Sequence, residues 1–203
     1  MAEQSSEVPV SDERPSTRRP YRGSCHCGHI KYIVYLTLPP PFIHANPPIA
    51  TSTVRLRKCN CSTCHKMGYF HVRPMDSPND FQLLSPSDPS ELSDYTCFEK
   101  VVHWYFCGKC GVHCFSFNGA SEVKEAEVDG EKMKIWAPKA EGWAEAKGMW
   151  RRSYLSVNAQ TLEPNQEGLN LLEWTEKQWI AYIDCLYMEG EARLKTPYPG
   201  GTY

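Results

Sequence analysis

Apolar and polar positions alternate in short runs along most of this chain. In KYIVYLTL, residues 31 to 38, Tyr32, Val34, Leu36 and Leu38 fall on one face of an extended segment. Ile33 and Tyr35 make the other face apolar too, which predicts a strand covered on both sides. TSTVRLRK (51 to 58), YFHVR (69 to 73), DFQLL (80 to 84), VHCFSF (112 to 117) and RSYLSVN (152 to 158) read as further strands. YTCFEKVVHWYFC (95 to 107) reads as a hairpin or one bent strand. SEVKEAEVDGEKMKIW places Asp129-Gly130, a tight-turn dipeptide, between two alternating runs and predicts a hairpin. Many short strands separated by turn residues define a mainly β fold.

Three segments break the pattern. Residues 1 to 20 are polar and carry Pro9, Pro15 and Pro20, and are expected to form a disordered leader. PPPFIHANPP, 39 to 48, cannot enter a sheet interior because its prolines lack N–H donors; it is expected to be a stiff loop at the lip of a pocket. In WTEKQWIAYIDCLYMEG (174 to 190), Thr175 and Gln178 have the spacing of a capping box, and Trp179, Ile183 and Leu186 recur at helical spacing. An amphipathic helix over about 175–189 is expected, docked on the β domain and ended by Gly190. The organisation is thus a leader at 1–20, a β domain at 21–158 and a C-terminal extension at 159–203.

Composition narrows the partners. Over 203 residues, 22 Lys and Arg face 24 Asp and Glu, for a formal net charge of −2. A nucleic-acid coat would be basic, so nucleic acid is not an expected partner. The first 20 residues have no apolar core of a secretory signal, and no run of about 18 apolar residues suggests a membrane span. A cytoplasmic location is expected, with a nuclear one also open. In that reducing setting the 10 cysteines are not expected to form a disulfide framework, and the clustered ones read as metal ligands or reactive thiols.

Their spacing is the strongest chemical signal. Cys25-x-Cys27, Cys59-x-Cys61-x2-Cys64 and Cys107-x2-Cys110 stand in order along the chain. C-x2-C spans a turn that lets two thiolates reach one ion, and C-x-C does so on one face of a strand. Cys25, Cys27, Cys107 and Cys110 make one complete four-thiolate site, with a structural role. Cys59, Cys61 and Cys64 make a second set one ligand short, the pattern of catalytic zinc. His26, His65, Cys97, His113 or Cys114 are the residues that would fill the vacancy. Other pairings of the half-sites, and iron–sulfur ligation, remain open on spacing alone. Cys97, Cys114 and Cys185 read as buried packing residues.

GSCHCG, CNCSTCHK and FCGKCGVHCF, in that order, resemble the glutathione-dependent formaldehyde-activating enzyme family, which includes centromere protein V. The likeness covers roughly residues 21 to 155, and the C-terminal YPGGTY with the segment before it is similar to extended fungal members. The resemblance implies a β-tent domain with two zinc ions. It assigns Cys25, Cys27, Cys107 and Cys110 to the structural ion and Cys59, Cys61 and Cys64 to the catalytic one. It implies condensation of glutathione, or a related thiol, with formaldehyde or another small electrophile, a carbon–sulfur lyase reaction in reverse. A basic rim including Arg57 and Lys66 would suit glutathione's carboxylates, and His65 and His113 are candidate proton shuttles. The proline loop departs from the family pattern beside the expected pocket. Two alternatives therefore stand: an enzyme of another metabolic or biosynthetic pathway with its own substrate, and a non-catalytic zinc-stabilised binding module.

Overall fold

The computed structural model describes residues 14–47, 51–141, 153–187 and 190–201. Thirteen strands and three short helices are seen among them. In chain order they are β1 (Thr17–Ser24), β2 (Lys31–Leu38), β3 (Arg55–Cys59), α1 (Ser62–Met67), β4 (Phe70–Arg73), α2 (Ser77–Asp80) and β5 (Phe81–Ser85). There follow β6 (Ser93–Thr96), β7 (His103–Phe106), β8 (His113–Asn118), β9 (Ser121–Val128), β10 (Glu131–Pro138) and β11 (Tyr154–Asn158). The chain closes with α3 (Leu171–Glu176), β12 (Ile180–Asp184) and β13 (Glu191–Arg193). The protein is mainly β, as the alternation predicts. Among the described residues no helix is long and apolar enough to cross a membrane.

Two sheets pack around one core. One has the order β1-β2-β5-β10-β9, the other β13-β12-β3-β4-β11-β8-β7-β6. Tyr32, Val34, Leu36 and Leu38 turn inward to meet Leu56, Val72, Phe115, Leu155 and Val157 from the second sheet. Phe81, Phe115 and Trp136 knot the middle: ring centroids lie 5.1 Å apart for Phe81 and Phe115, and 5.9 Å for Phe115 and Trp136. Truncating such an aromatic to alanine costs about 3–5 kcal/mol. Ile33 and Tyr35 do face apolar partners on the other side of β2, in a smaller cluster with Val128, Ile135 and Ala137. The Asp129-Gly130 hairpin forms as expected: Val128 pairs with Glu131, and both turn residues have positive φ, 54° and 82°.

The predicted helix over 175–189 is not there. Asn170, not Thr175, caps a helix of six residues, accepting from the N–H groups of Leu172 at 3.0 Å and Glu173 at 3.3 Å. Thr175 lies inside that helix. Gln178 then takes a left-handed conformation, φ 59°, and the chain turns into β12, parallel to β3. The run WIAYID carries β-forming residues whose helical and extended patterns are both plausible, and pairing with the open edge of β3 decides between them. Residues 188–189 lie outside the described residues.

Residues 17 to 20, placed in the expected leader, belong to a strand. Residues 1–13 lie outside the described residues, but Thr17–Ser24 forms an edge strand paired along its length with β2. An edge tolerates Pro20, whose missing N–H is needed by no second neighbour. The loop at 39–47 stays outside both sheets, as its prolines require. Its Phe42, Ile43 and His44 line a shallow cleft with Arg55, Arg57 and Trp179. Residues 48–50 lie outside the described residues.

Candidate metal centres

The first cysteine group is built by two turns brought together from distant parts of the chain. After β1, Gly28 at φ 72° closes a turn in which its N–H reaches Cys25 O at 2.9 Å. After β7, Gly111 at φ 77° does the same toward Cys107 O at 2.7 Å. Both glycines occupy the left-handed region that side chains disfavour. The four sulfurs of Cys25, Cys27, Cys107 and Cys110 lie within 4.8 Å of one another. Cys27 Sγ stands 3.7 Å from Cys25 Sγ and 3.5 Å from Cys107 Sγ. Tetrahedral zinc–thiolate bonds would set sulfurs about 3.8 Å apart, so this donor set fits such an ion. Ile30 N donates to Cys25 Sγ at 3.2 Å. Backbone donation from Val112 leads the effects that pull Cys110 down to about 6, whereas burial pushes Cys107 up to about 11. Cys114 packs in the core beside this group, and burial raises its thiol.

The second group occupies the outer face of the larger sheet. Cys59 ends β3, Cys61 caps α1, and Cys64 follows one turn into that helix. Their three sulfurs also lie within 4.8 Å of one another. Cys61 Sγ accepts from Cys64 N at 3.4 Å, and Cys59 Sγ from Cys61 N at the same distance. Hydrogen bonds from the thiols of Cys59 and then Cys64 draw Cys61 strongly down, so the group concentrates negative charge at this sulfur. Each of the two groups can hold a metal ion.

His71 adjoins the second group, and sequence reasoning passed it over. It pairs with Arg57 across β3 and β4, is only 7% exposed, and brings Nε2 within 3.1 Å of Cys64 Sγ. Its Nδ1 faces Ser156 Oγ at 2.9 Å and Tyr154 Oη at 3.2 Å. Burial, and then Arg73, lowers it to about 3, so the ring is neutral. The histidines singled out in the sequence lie elsewhere. His65 is exposed on α1, and His113 stacks on Phe106 with centroids 4.8 Å apart. The signal for His71 was period-two alternation: on paired strands it shares a face with Arg57 and Cys59.

That face is strongly basic. Arg55, Arg57 and Cys59 alternate along β3, and Arg73 pairs with Arg55. The Nε atoms of Arg55, Arg57 and Arg73 are buried without a hydrogen-bond partner among the described residues. Arg57 Nη2 donates to Asn46 Oδ1 at 3.3 Å, and Arg73 lies 4.3 Å over the Tyr154 ring. Burial first, then mutual repulsion, disfavours the charged forms of Arg55 and Arg57. A guanidinium keeps its proton, so an anion bound here would offset that cost where titration does not. Lys66, in contrast, is exposed on α1.

Cys97 and Cys185 are not the buried packing residues expected. Cys97 is half-buried beside the triplet, with its thiol 3.5 Å from Thr63 Oγ1. Cys185 is exposed, and the neighbouring Cys59 thiol leads the effects that lower its own to about 7.

Fold and site together define a mainly β protein with two cysteine groups able to hold metal ions, one of them beside an arginine-rich face. No protein-family model matches the chain, and no curated protein matches it. A solved protein from Rhodobacter sphaeroides is similar over 75% of this chain and 93% of its own, with 16% identity and a TM-score of 0.38. A likeness that slight carries no argument about function.

Proposed function

We propose that this chain is a zinc-dependent enzyme of the glutathione-dependent formaldehyde-activating type, joining the thiol of glutathione or a relative to a small aldehyde. In reverse the reaction is that of a carbon–sulfur lyase. The observation that carries this reading is a three-sulfur group sharing one sheet face with His71 and three arginines that have no acidic partner among the described residues. The ordered cysteine motifs support it. In this reading Cys25, Cys27, Cys107 and Cys110 hold a structural zinc, and Cys59, Cys61 and Cys64 a catalytic one. When bound there, zinc supplies a mild Lewis acid with room for one more ligand.

The remaining work falls to the protein's own groups. Arg57 and Arg55 stand two and four residues before Cys59, about 7 and 13 Å along an extended strand. An extended tripeptide spans about 10 Å, so a thiol held near the triplet can set its carboxylates against these guanidiniums. Binding there neutralises charges that have no counter-ion among the described residues, which favours a thiol bearing two carboxylates over a neutral one. Neutral His71, with its proton on Nε2, donates to Cys64 and accepts at Nδ1 from Ser156 or Tyr154. The ring thereby steadies the Cys64 thiolate without adding charge to the arginine face. Holding thiol and aldehyde side by side supplies the usual gain of proximity.

Proton NMR of formaldehyde and glutathione mixed with the zinc-loaded chain tests the reading. S-hydroxymethylglutathione should form faster than in the spontaneous reaction, and an unchanged rate overturns this substrate pair. A second reading, the same chemistry on another anionic thiol or aldehyde, is favoured by the cleft wall of Phe42, Ile43 and His44 beside Arg55 and Arg57.

A further inference from the structure

Asn60 stands between two members of the triplet and is 3% exposed. Its hydrogen bonds reach almost wholly into the C-terminal segment. Its backbone N–H donates to Ile183 O at 3.2 Å. Its Nδ2 donates to Asp184 Oδ1 at 2.8 Å and to Pro199 O at 3.1 Å. Its Oδ1 accepts from Cys185 N at 2.8 Å and Leu186 N at 3.1 Å. Asp184 Oδ1 tightens the same turn by accepting from Leu186 N at 3.2 Å and Tyr187 N at 3.0 Å. The parallel pairing of β12 with β3 sets Ile183 opposite Cys59. The backbone of Cys185 is therefore fastened to the residue between Cys59 and Cys61, and its exposed thiol is near enough to Cys59 for each to shift the other's pKa.

We propose that Cys185 is a fourth, exchangeable ligand of the ion held by Cys59, Cys61 and Cys64. This rests on reading the triplet as a metal site. The Asn60 bond and the β3–β12 register set the Cys185 backbone at the edge of the triplet, its sulfur outside the group of three that lie within 4.8 Å of one another, and rotation about χ1 on this fixed backbone is the motion needed to share the ion. The other candidates are committed elsewhere: His71 to Cys64, Ser156 and Tyr154, Cys97 to Thr63, and Cys114 to the core beside the other group. A thiolate from Cys185 completes the tetrahedral shell when no substrate is present and excludes water from it. An incoming thiol replaces it sulfur for sulfur. The proton of the incoming thiol passes to the departing Cys185 sulfur, so the charge on the shell does not change.

Alkylation of the intact chain by iodoacetamide, read by peptide mass spectrometry, tests this without a variant. Zinc should protect Cys185 together with Cys59, Cys61 and Cys64, and excess glutathione should then expose Cys185 alone. Equal labelling of Cys185 with and without zinc, while the triplet is protected, overturns the ligand. Continued protection in excess glutathione overturns its exchange. If zinc fails to protect the triplet as well, the metal reading of that group falls too. Cobalt-loaded protein gives a second readout: Cys185→Ala should lower the sulfur-to-cobalt charge-transfer absorption by one thiolate's share, and an unchanged spectrum overturns the proposal. Neither measurement uses aldehyde turnover, so a failed formaldehyde assay leaves both results standing.

Discussion

The two cysteine groups use the same atom type in opposite surroundings. Cys25, Cys27, Cys107 and Cys110 sit on the glycine-closed turns of two hairpins far apart in the chain, and their four sulfurs lie within 4.8 Å of one another, a spacing that suits a tetrahedral shell. Cys59, Cys61 and Cys64 rise from a strand end and a capped helix on a sheet face that is held without them. Around the first group are backbone donors and core. Around the second are a neutral histidine, three arginines whose Nε atoms have no hydrogen-bond partner among the described residues, and an exposed thiol. A closed set of ligands joining distant segments suits stability, whereas a short set beside polar groups suits exchange with a ligand.

The sharpest way to break this contrast is Cys107→Ser. On the two-role reading it removes the ion that joins the N-terminal turn to the β7–β8 connection. Structural zinc contributes on the order of 10 kcal/mol to folding, comparable to the whole stability of a typical domain. Thermal unfolding followed by circular dichroism should show loss of the cooperative transition. A transition that survives near the wild-type temperature would remove the structural role. Cys61→Ser should act differently: zinc content, measured by plasma emission spectrometry, should fall from about two ions per chain to about one while the fold persists. Global unfolding of this variant would erase the distinction between the groups.

The smallest expected effect concerns the arginine face. Arg73→Met removes one buried like charge, and replacing buried charge with apolar packing is often neutral or stabilising by about 1–4 kcal/mol. The midpoint of thermal unfolding in plain buffer should hold or rise. In wild type, sulfate should raise the midpoint by binding the folded state, and in the variant that rise should shrink. A sulfate response unchanged by Arg73→Met would mean that the face does not bind anions.

Local physics was legible in the chain. Alternation located most of the strands between residues 31 and 158, Asp129-Gly130 its hairpin, and the spacings C-x-C and C-x2-C the two sulfur groups, because each depends on residues a few positions apart. The segment after Trp174 defeated the same reasoning because its residues suit both a helix and a strand. An open edge on β3, far away in sequence, chose the strand. His71 and the three arginines were visible as residues but not as a site. Only the pairing of β3 with β4, and of β4 with β11, turns them to one face beside Cys64.

What the sequence by itself determined is therefore the mainly β character and the two sets of sulfur ligands, since backbone preference and ligand reach are short-ranged. The tertiary structure alone decided what surrounds those ligands. Strand register placed His71 and the arginines, and the bonds of one buried asparagine carried Cys185 to Cys59 from the far end of the chain. Burial and charge are properties of neighbours in space, and long-range pairing selects those neighbours.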